Sequence, residues 1–240
     1  TISGSNSTSY AGIIQNGSAS SLNLNKGGTS ILTLSGANTY NGTTSINAGV
    51  INVQDNNALG STIAGTIVAN GAALQIEGST NIGAEIIQIS GSGISNTGAI
   101  RNISSNNSIG GTITLVSDAT IVSDASRLTL IAISGNYNLT IGGIGNLTIG
   151  GIVNIGTGDF TKIGSGSVTL NAVNIYSGLT TISNGILQVG IIKAIPVENE
   201  VNIASGASLD LAGRATTLTT INGLGKITNS SLSLIHIWRC

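Results

Sequence analysis

Nine carboxylates, Asp55, Glu77, Glu85, Asp118, Asp124, Asp159, Glu198, Glu200 and Asp210, are the only credible catalytic material in residues 1–230, because the single His and the single Cys fall at His236 and Cys240. A Ser-His-Asp or Cys-His relay needs an imidazole to carry the proton, and none precedes residue 236. The same inventory gives no histidine or thiolate metal site in that span, so no metal and no cofactor are expected. Among the carboxylates, Glu198 and Glu200 would share a face of an extended segment, but they follow Pro196 and are expected to form a solvated cluster. Asp118 and Asp124 flank a short strand with Arg127 near, and could converge across a coil. Glycoside chemistry wants two carboxyls at a defined separation beside sugar-stacking aromatics. Aromatic residues make up only 2% of the chain, so no enzymatic activity is expected. The alternative is an extracellular polysaccharide lyase or hydrolase of the β-helix type. Gly91-Ser92-Gly93 and Gly164-Ser165-Gly166 lack the spaced third glycine and the following helix of a phosphate loop.

Charge removes a further class. Eight Lys and Arg against nine Asp and Glu give a net charge of -1, which cannot assemble the basic stripe a nucleic-acid partner requires. No apolar run approaches the length of a membrane-spanning helix, because Gly, Ser, Asn or Thr interrupts every hydrophobic segment. The chain opens in mid-pattern at Thr1-Ile2-Ser3-Gly4, without Met or a signal peptide, and is expected to be a fragment of a longer one. Residues 231–240 gather the His, the Trp (Trp238) and the Cys within five positions and resemble translated adaptor sequence, so they are set aside as non-native. A cysteine-free body suits an extracellular surface.

The elements that would carry these residues are strands. Thirty-five glycines, one proline and 7% charged residues leave Ile, Leu, Val and Ala to fill a core, with Ser, Thr and Asn covering it. Lys26 to Val53 and Lys162 to Val189 repeat at a constant offset, with identical residues at Lys26/Lys162, Gly28/Gly164, Thr33/Thr169, Leu34/Leu170, Asn38/Asn174, Tyr40/Tyr176, Gly42/Gly178, Thr44/Thr180, Ile46/Ile182, Gly49/Gly185 and Val53/Val189. The match resumes at Val68 to Ile76 and Ile203 to Leu211, which gives repeat units over 26–78 and 162–213. Within a unit, Leu32-Thr33-Leu34 alternates faces, Asn41-Gly42 turns, Thr44-Ser45-Ile46 runs on and Ala48-Gly49 turns again. Sandwiches and barrels place aromatics in their cores and pair hairpins reciprocally. A single-stranded right-handed parallel β-helix, an all-β solenoid, fits the small aliphatics better. About ten coils would make a rod of roughly 45 to 50 Å across residues 1–230.

The shared pattern, K-x-G-x-x-x-x-T-L-x-x-x-N-x-Y-x-G-x-T-x-I-x-x-G, resembles the passenger-associated transport repeat of type V autotransporters. The Ile- and Asn-rich composition is similar to that of rickettsial-type surface antigens. The resemblance implies a β-helical passenger segment with a structural and adhesive role, carried through the outer membrane by a C-terminal β-barrel outside this sequence. It implies display at the bacterial cell surface or release outside the cell, where a host surface protein or glycan would be the partner. In the motif, Gly42, Gly178, Gly49 and Gly185 are expected at positive φ. Tyr40 and Tyr176 are expected as stacked aromatics at coil corners with hydroxyls in water. Asn38 and Asn174 are expected to satisfy turn backbone. Lys26, Gly28, Leu34, Thr44 and Ile46, with Lys162, Gly164, Leu170, Thr180 and Ile182, complete the structural motif. Residues 79–157 match its style but not its pattern.

Overall fold

The computed structural model describes residues 1–231, so all but Ser231 of the tail set aside above lies outside the described residues. Short apolar-alternating segments become strands whose inward positions are buried. Ile31–Leu34, Phe160–Ile163 and Ser167–Leu170 each alternate a buried residue with a more accessible one. Helix is confined, among the described residues, to the 3₁₀ turn Ile94–Asn96.

Every strand pairing is parallel and joins one coil to the next: Leu147 with Val168, Val168 with Leu187, and Leu187 with Leu209. The result is a β-solenoid of about 11 turns. At the spacing of neighbouring strands that corresponds to a rod of about 50 Å.

Three faces can be traced through the pairings. The first runs through Leu24–Lys26, Thr44–Ile46, Thr66–Val68 and Ile87–Gly91 to residues 113–115, then 133–134 and Val153–Asn154. The second is continuous from Thr8–Tyr10 to Thr220–Gly223. The third begins at Asn81–Ile82 and ends at Lys226–Thr228. Residues 79–157 put strands on all three faces. The coils on either side use two faces and close the third with a loop. The first repeat therefore occupies the first and second faces, and the second repeat occupies the second and third. The same local unit is rotated by one face about the axis.

The core is one column. Leu32, Ile51, Leu74, Ile100, Ile121, Ile141, Lys162, Ile182 and Ile203 are successive partners across coils, all buried. Burial of such aliphatics contributes roughly 1.5 to 3 kcal/mol per side chain. The first strand, Thr8–Tyr10, and the last two, Thr220–Gly223 and Lys226–Thr228, are exposed throughout, since each has a coil on one side only.

Candidate functional site

The lysine in the aliphatic column belongs to the motif, and its counterpart Lys26 takes the same kind of place, paired with Ile46. Both side chains are fully buried. Alternation accounts for this: Lys26 lies two residues after buried Leu24, and Lys162 two after buried Phe160. An ammonium taken out of water must have its three protons bound. Lys26 Nζ donates to the carbonyls of Gly27, Gly28 and Ala48 at 2.6, 2.9 and 3.3 Å. Lys162 Nζ donates to those of Ile163, Gly164 and Asn184 at 2.7, 2.7 and 3.0 Å. Carbonyls carry no full charge, so burial still disfavours the cation: it lowers the Lys26 pKa and brings that of Lys162 down to about 8.

Glycines shape these cages. Gly28 and Gly164 take φ of +67° and +70°, and Gly49 and Gly185 take +68° and +69°. A Cβ at Gly49 would stand 2.8 Å from Lys26 Nζ, and one at Gly185 would stand 2.9 Å from Lys162 Nζ. Gly42 and Gly178 differ from expectation, because neither has positive φ. They are needed for close approach instead. A Cβ would lie 2.4 Å from the Leu22 carbonyl oxygen at Gly42, and 2.2 Å from that of Gly158 at Gly178.

The motif asparagines bridge three coils. Asn38 accepts from Ile14 N at 2.8 Å and donates to the Ala58 carbonyl at 2.6 Å. Asn174 accepts from Val153 N at 2.8 Å and donates to that of Ala194 at 2.5 Å. The tyrosines require a correction, since their hydroxyls do not reach water. Both rings are buried, and their hydroxyls pair with Thr44 at 2.6 Å and Thr180 at 2.9 Å. Burial pushes the Tyr40 phenol up to about 12 and raises that of Tyr176 further. Phe160 stacks on Tyr176 with ring centroids 5.6 Å apart. Thr44 passes its bond to the Leu59 carbonyl, and Thr180 passes its own to Asn199 Oδ1 at 2.6 Å. Leu34, Leu170, Ile46 and Ile182 pack in the core.

Sequence reasoning missed two polar clusters in the interior. Glu85 is buried, accepts from Thr66 Oγ1 at 2.7 Å, and has its carboxyl raised by burial. Asn102 and Asn107 hydrogen-bond each other, and Asn102 reaches Ser123 Oγ at 3.0 Å in the next coil. Neither has a counterpart in the repeat, so no periodic signal marks them.

The carboxylates considered for catalysis are dispersed. Asp118 accepts from the backbone and side-chain nitrogens of Asn138 at 2.9 and 3.0 Å, and Asn138 Oδ1 in turn accepts from Asp159 N at 2.8 Å. Asp118, Asn138 and Asp159 thus climb successive coils along a groove of about 440 Å³ whose lining contains no aromatic residue. Asp124 pairs with Arg101 rather than Arg127, so Asp118 and Asp124 have separate partners. Glu200 accepts from Asn222 at 2.6 Å. Among the described residues, no group of three or more His, Cys, Asp or Glu could hold a metal ion.

The two copies of this lysine–asparagine–tyrosine framework coincide with two matches to a family model, the passenger-associated-transport-repeat, over residues 24–53 and 160–189. Both copies match that one repeat model. Two such repeats set in one β-solenoid are consistent with an autotransporter passenger domain. No curated protein and no solved structure matches the chain. The match begins at Leu24 and Phe160, whose side chains stand one turn of alternation before the buried lysines, and ends at Val53 and Val189. In both matched stretches the lysine and asparagine side chains bond a neighbouring coil. Among the described residues, no helix is long and apolar enough to cross a membrane.

Proposed function

We propose that this chain is a structural and adhesive passenger segment of a secreted bacterial autotransporter, displayed at the cell surface or released outside the cell after passage through the outer membrane. The observation that carries the reading is the pair of passenger repeats whose polar side chains each bond the coils before or after their own. Such a rod gains stability coil by coil, through interfaces with nearest neighbours. Folding outside the cell would then add one stabilising interface for each coil that emerges, which disfavours return through the pore without a nucleotide energy source. The partner for export is a C-terminal autotransporter β-barrel. The partner for adhesion is a host surface protein or glycan, met along faces rich in Ser, Thr and Asn. Catalysis is not part of this proposal, since in the groove the Asp118 carboxylate is engaged with Asn138, that of Asp159 accepts from the Leu179 backbone nitrogen, and no stacking aromatic lines it.

The test has two arms. Fused ahead of an autotransporter barrel in a Gram-negative host, the chain is expected to become accessible to protease on intact cells. Retention in the periplasm behind a correctly inserted barrel would overturn the export role. Purified rod is expected to bind host-cell surfaces above a matched inert protein, and equal binding would remove the adhesive role.

A further inference from the structure

We propose that Asn184–Gly185 is a self-modifying peptide, in which the buried Lys162 ammonium promotes cyclisation of the Asn184 side chain and its conversion to aspartate and isoaspartate. Three features of one peptide unit point the same way. The Gly185 N–H donates to Asn184 Oδ1 at 2.7 Å, so the backbone nitrogen already lies beside the side-chain carboxamide it would attack. The carbonyl of that same peptide, Asn184 O, accepts from Lys162 Nζ at 3.0 Å. A cation on the oxygen stabilises the amidate formed when the nitrogen loses its proton, as an oxyanion donor stabilises developing charge. Position 185 is glycine, held at φ +69°, so no side chain shields the nitrogen. Asn184 is exposed, which admits water for the later step.

The chemistry balances without an added reagent other than water. Solvent base takes the Gly185 amide proton, and the nitrogen attacks Asn184 Cγ. The Cγ–Nδ2 bond breaks and ammonia leaves with a proton from solvent. Water then opens the succinimide at either carbonyl to give an aspartyl or an isoaspartyl linkage, each with a new carboxylate at a coil corner.

The first repeat is an internal control. Lys26 donates to Ala48 O in the equivalent cage, and alanine has no carboxamide to cyclise. Two of the other Asn-Gly peptides are built differently. At Asn41–Gly42 the glycine nitrogen is tied to the Leu22 carbonyl at 3.1 Å. At Asn16–Gly17 the asparagine carbonyl accepts from the neutral Ala19 N–H at 3.2 Å, with no ammonium.

The 240-residue chain, aged at neutral pH and body temperature, is digested and its peptides are resolved by mass spectrometry with fragmentation that distinguishes isoaspartate. Conversion at Asn184 is expected, with both products present. In Lys162→Met the rate at Asn184, taken relative to that at Asn16, is expected to fall about tenfold, a modest figure beside the effect of removing one oxyanion donor. The Asn16 rate corrects for general chemistry, and near-ultraviolet dichroism confirms that the fold persists. If Lys162→Met fails to fold, Ala48→Asn decides: conversion at position 48 is expected, and Lys26→Met in that background is expected to suppress it. An intact Asn184 in the unaltered chain overturns the proposal. So does an unchanged or increased relative rate in Lys162→Met, which would mean that the lysine holds the turn against attack.

Discussion

The buried motif lysines make stability rise with pH in a range where most proteins gain nothing. For Lys162 the pKa falls from 10.5 in the unfolded chain to about 8 in the fold. Between those values the unfolded state binds more protons than the folded one, so unfolding free energy increases with pH. The interval corresponds to about 3 kcal/mol, fully developed only above both values. Lys26 is lowered by the same cause and adds in the same direction. The tyrosines oppose it at the upper end. The Tyr40 phenol is raised to about 12 from 10.0, and Tyr176 is raised too, so above pH 10 the folded state holds protons that the unfolded chain releases. Stability is therefore expected to climb from pH 8, reach a maximum near about pH 10, and fall beyond it. The measurement is the guanidinium midpoint at half-unit pH steps, with short incubations. Lys162→Met places an unbranched apolar side chain between Ile141 and Ile182 and removes the titrating group. Its climb should shrink to the share left to Lys26. A midpoint that stays level from pH 8 to 10, or a climb undiminished in Lys162→Met, would refute the reasoning.

Gly42→Ala drives a methyl against the Leu22 carbonyl oxygen, backbone that cannot swing aside, and is expected to destabilise by more than about 2 kcal/mol in thermal or denaturant unfolding. A glycine needed only for its φ would cost less here, because φ at this position is not positive. Tyr176→Phe removes one end of the bond to Thr180 while Thr180 keeps Asn199, so a loss of about 1 kcal/mol is expected from the same assay. Asp118→Asn with Asp124→Asn leaves any uronate-polymer cleavage by purified protein at the level of a blank. Activity in the unaltered chain that disappears in the double variant would establish an enzyme.

The strands and their parallel stacking were legible because alternation and glycine spacing are local properties. Leu32-Thr33-Leu34 must put one face inward wherever it sits. The rotation of the second repeat by one face was not legible, since it depends on how many strands residues 79–157 insert per turn, and nothing in either copy records that. The tyrosines carried a signal that went unused: Thr44 and Thr180 follow Tyr40 and Tyr176 at the same spacing, and a hydroxyl repeated near a ring in both copies is a ready internal partner. Gly42 shows the opposite limit. A turn glycine needed for φ and one needed for contact look identical in sequence, and only the Leu22 carbonyl distinguishes them. The lysine could have been placed inside by parity with Leu24. The three carbonyls that permit it come from two coils and have no side-chain signature.

The polar interior makes each coil incomplete without the next. Lys26 finds two of its acceptors, Gly27 and Gly28, in its own coil and the third, Ala48, in the following turn. Asn38 reaches back to Ile14 and forward to Ala58. A growing end that stopped at a repeat would leave a desolvated ammonium short of one acceptor and a carboxamide short of its own, each a penalty of about 1 to 3 kcal/mol. An all-aliphatic interior would carry no such penalty, and its coils could slip by two residues while keeping their inward faces apolar. The buried lysine and asparagine forbid that slip, because only one register brings the carbonyls of positions 48 and 58, or of 184 and 194, to their donors. In a chain with so few charged residues, spending two of its eight Lys and Arg inside the rod is explained by register: repulsion between exposed charges cannot select one alignment of near-identical coils, and a buried donor with fixed acceptors can.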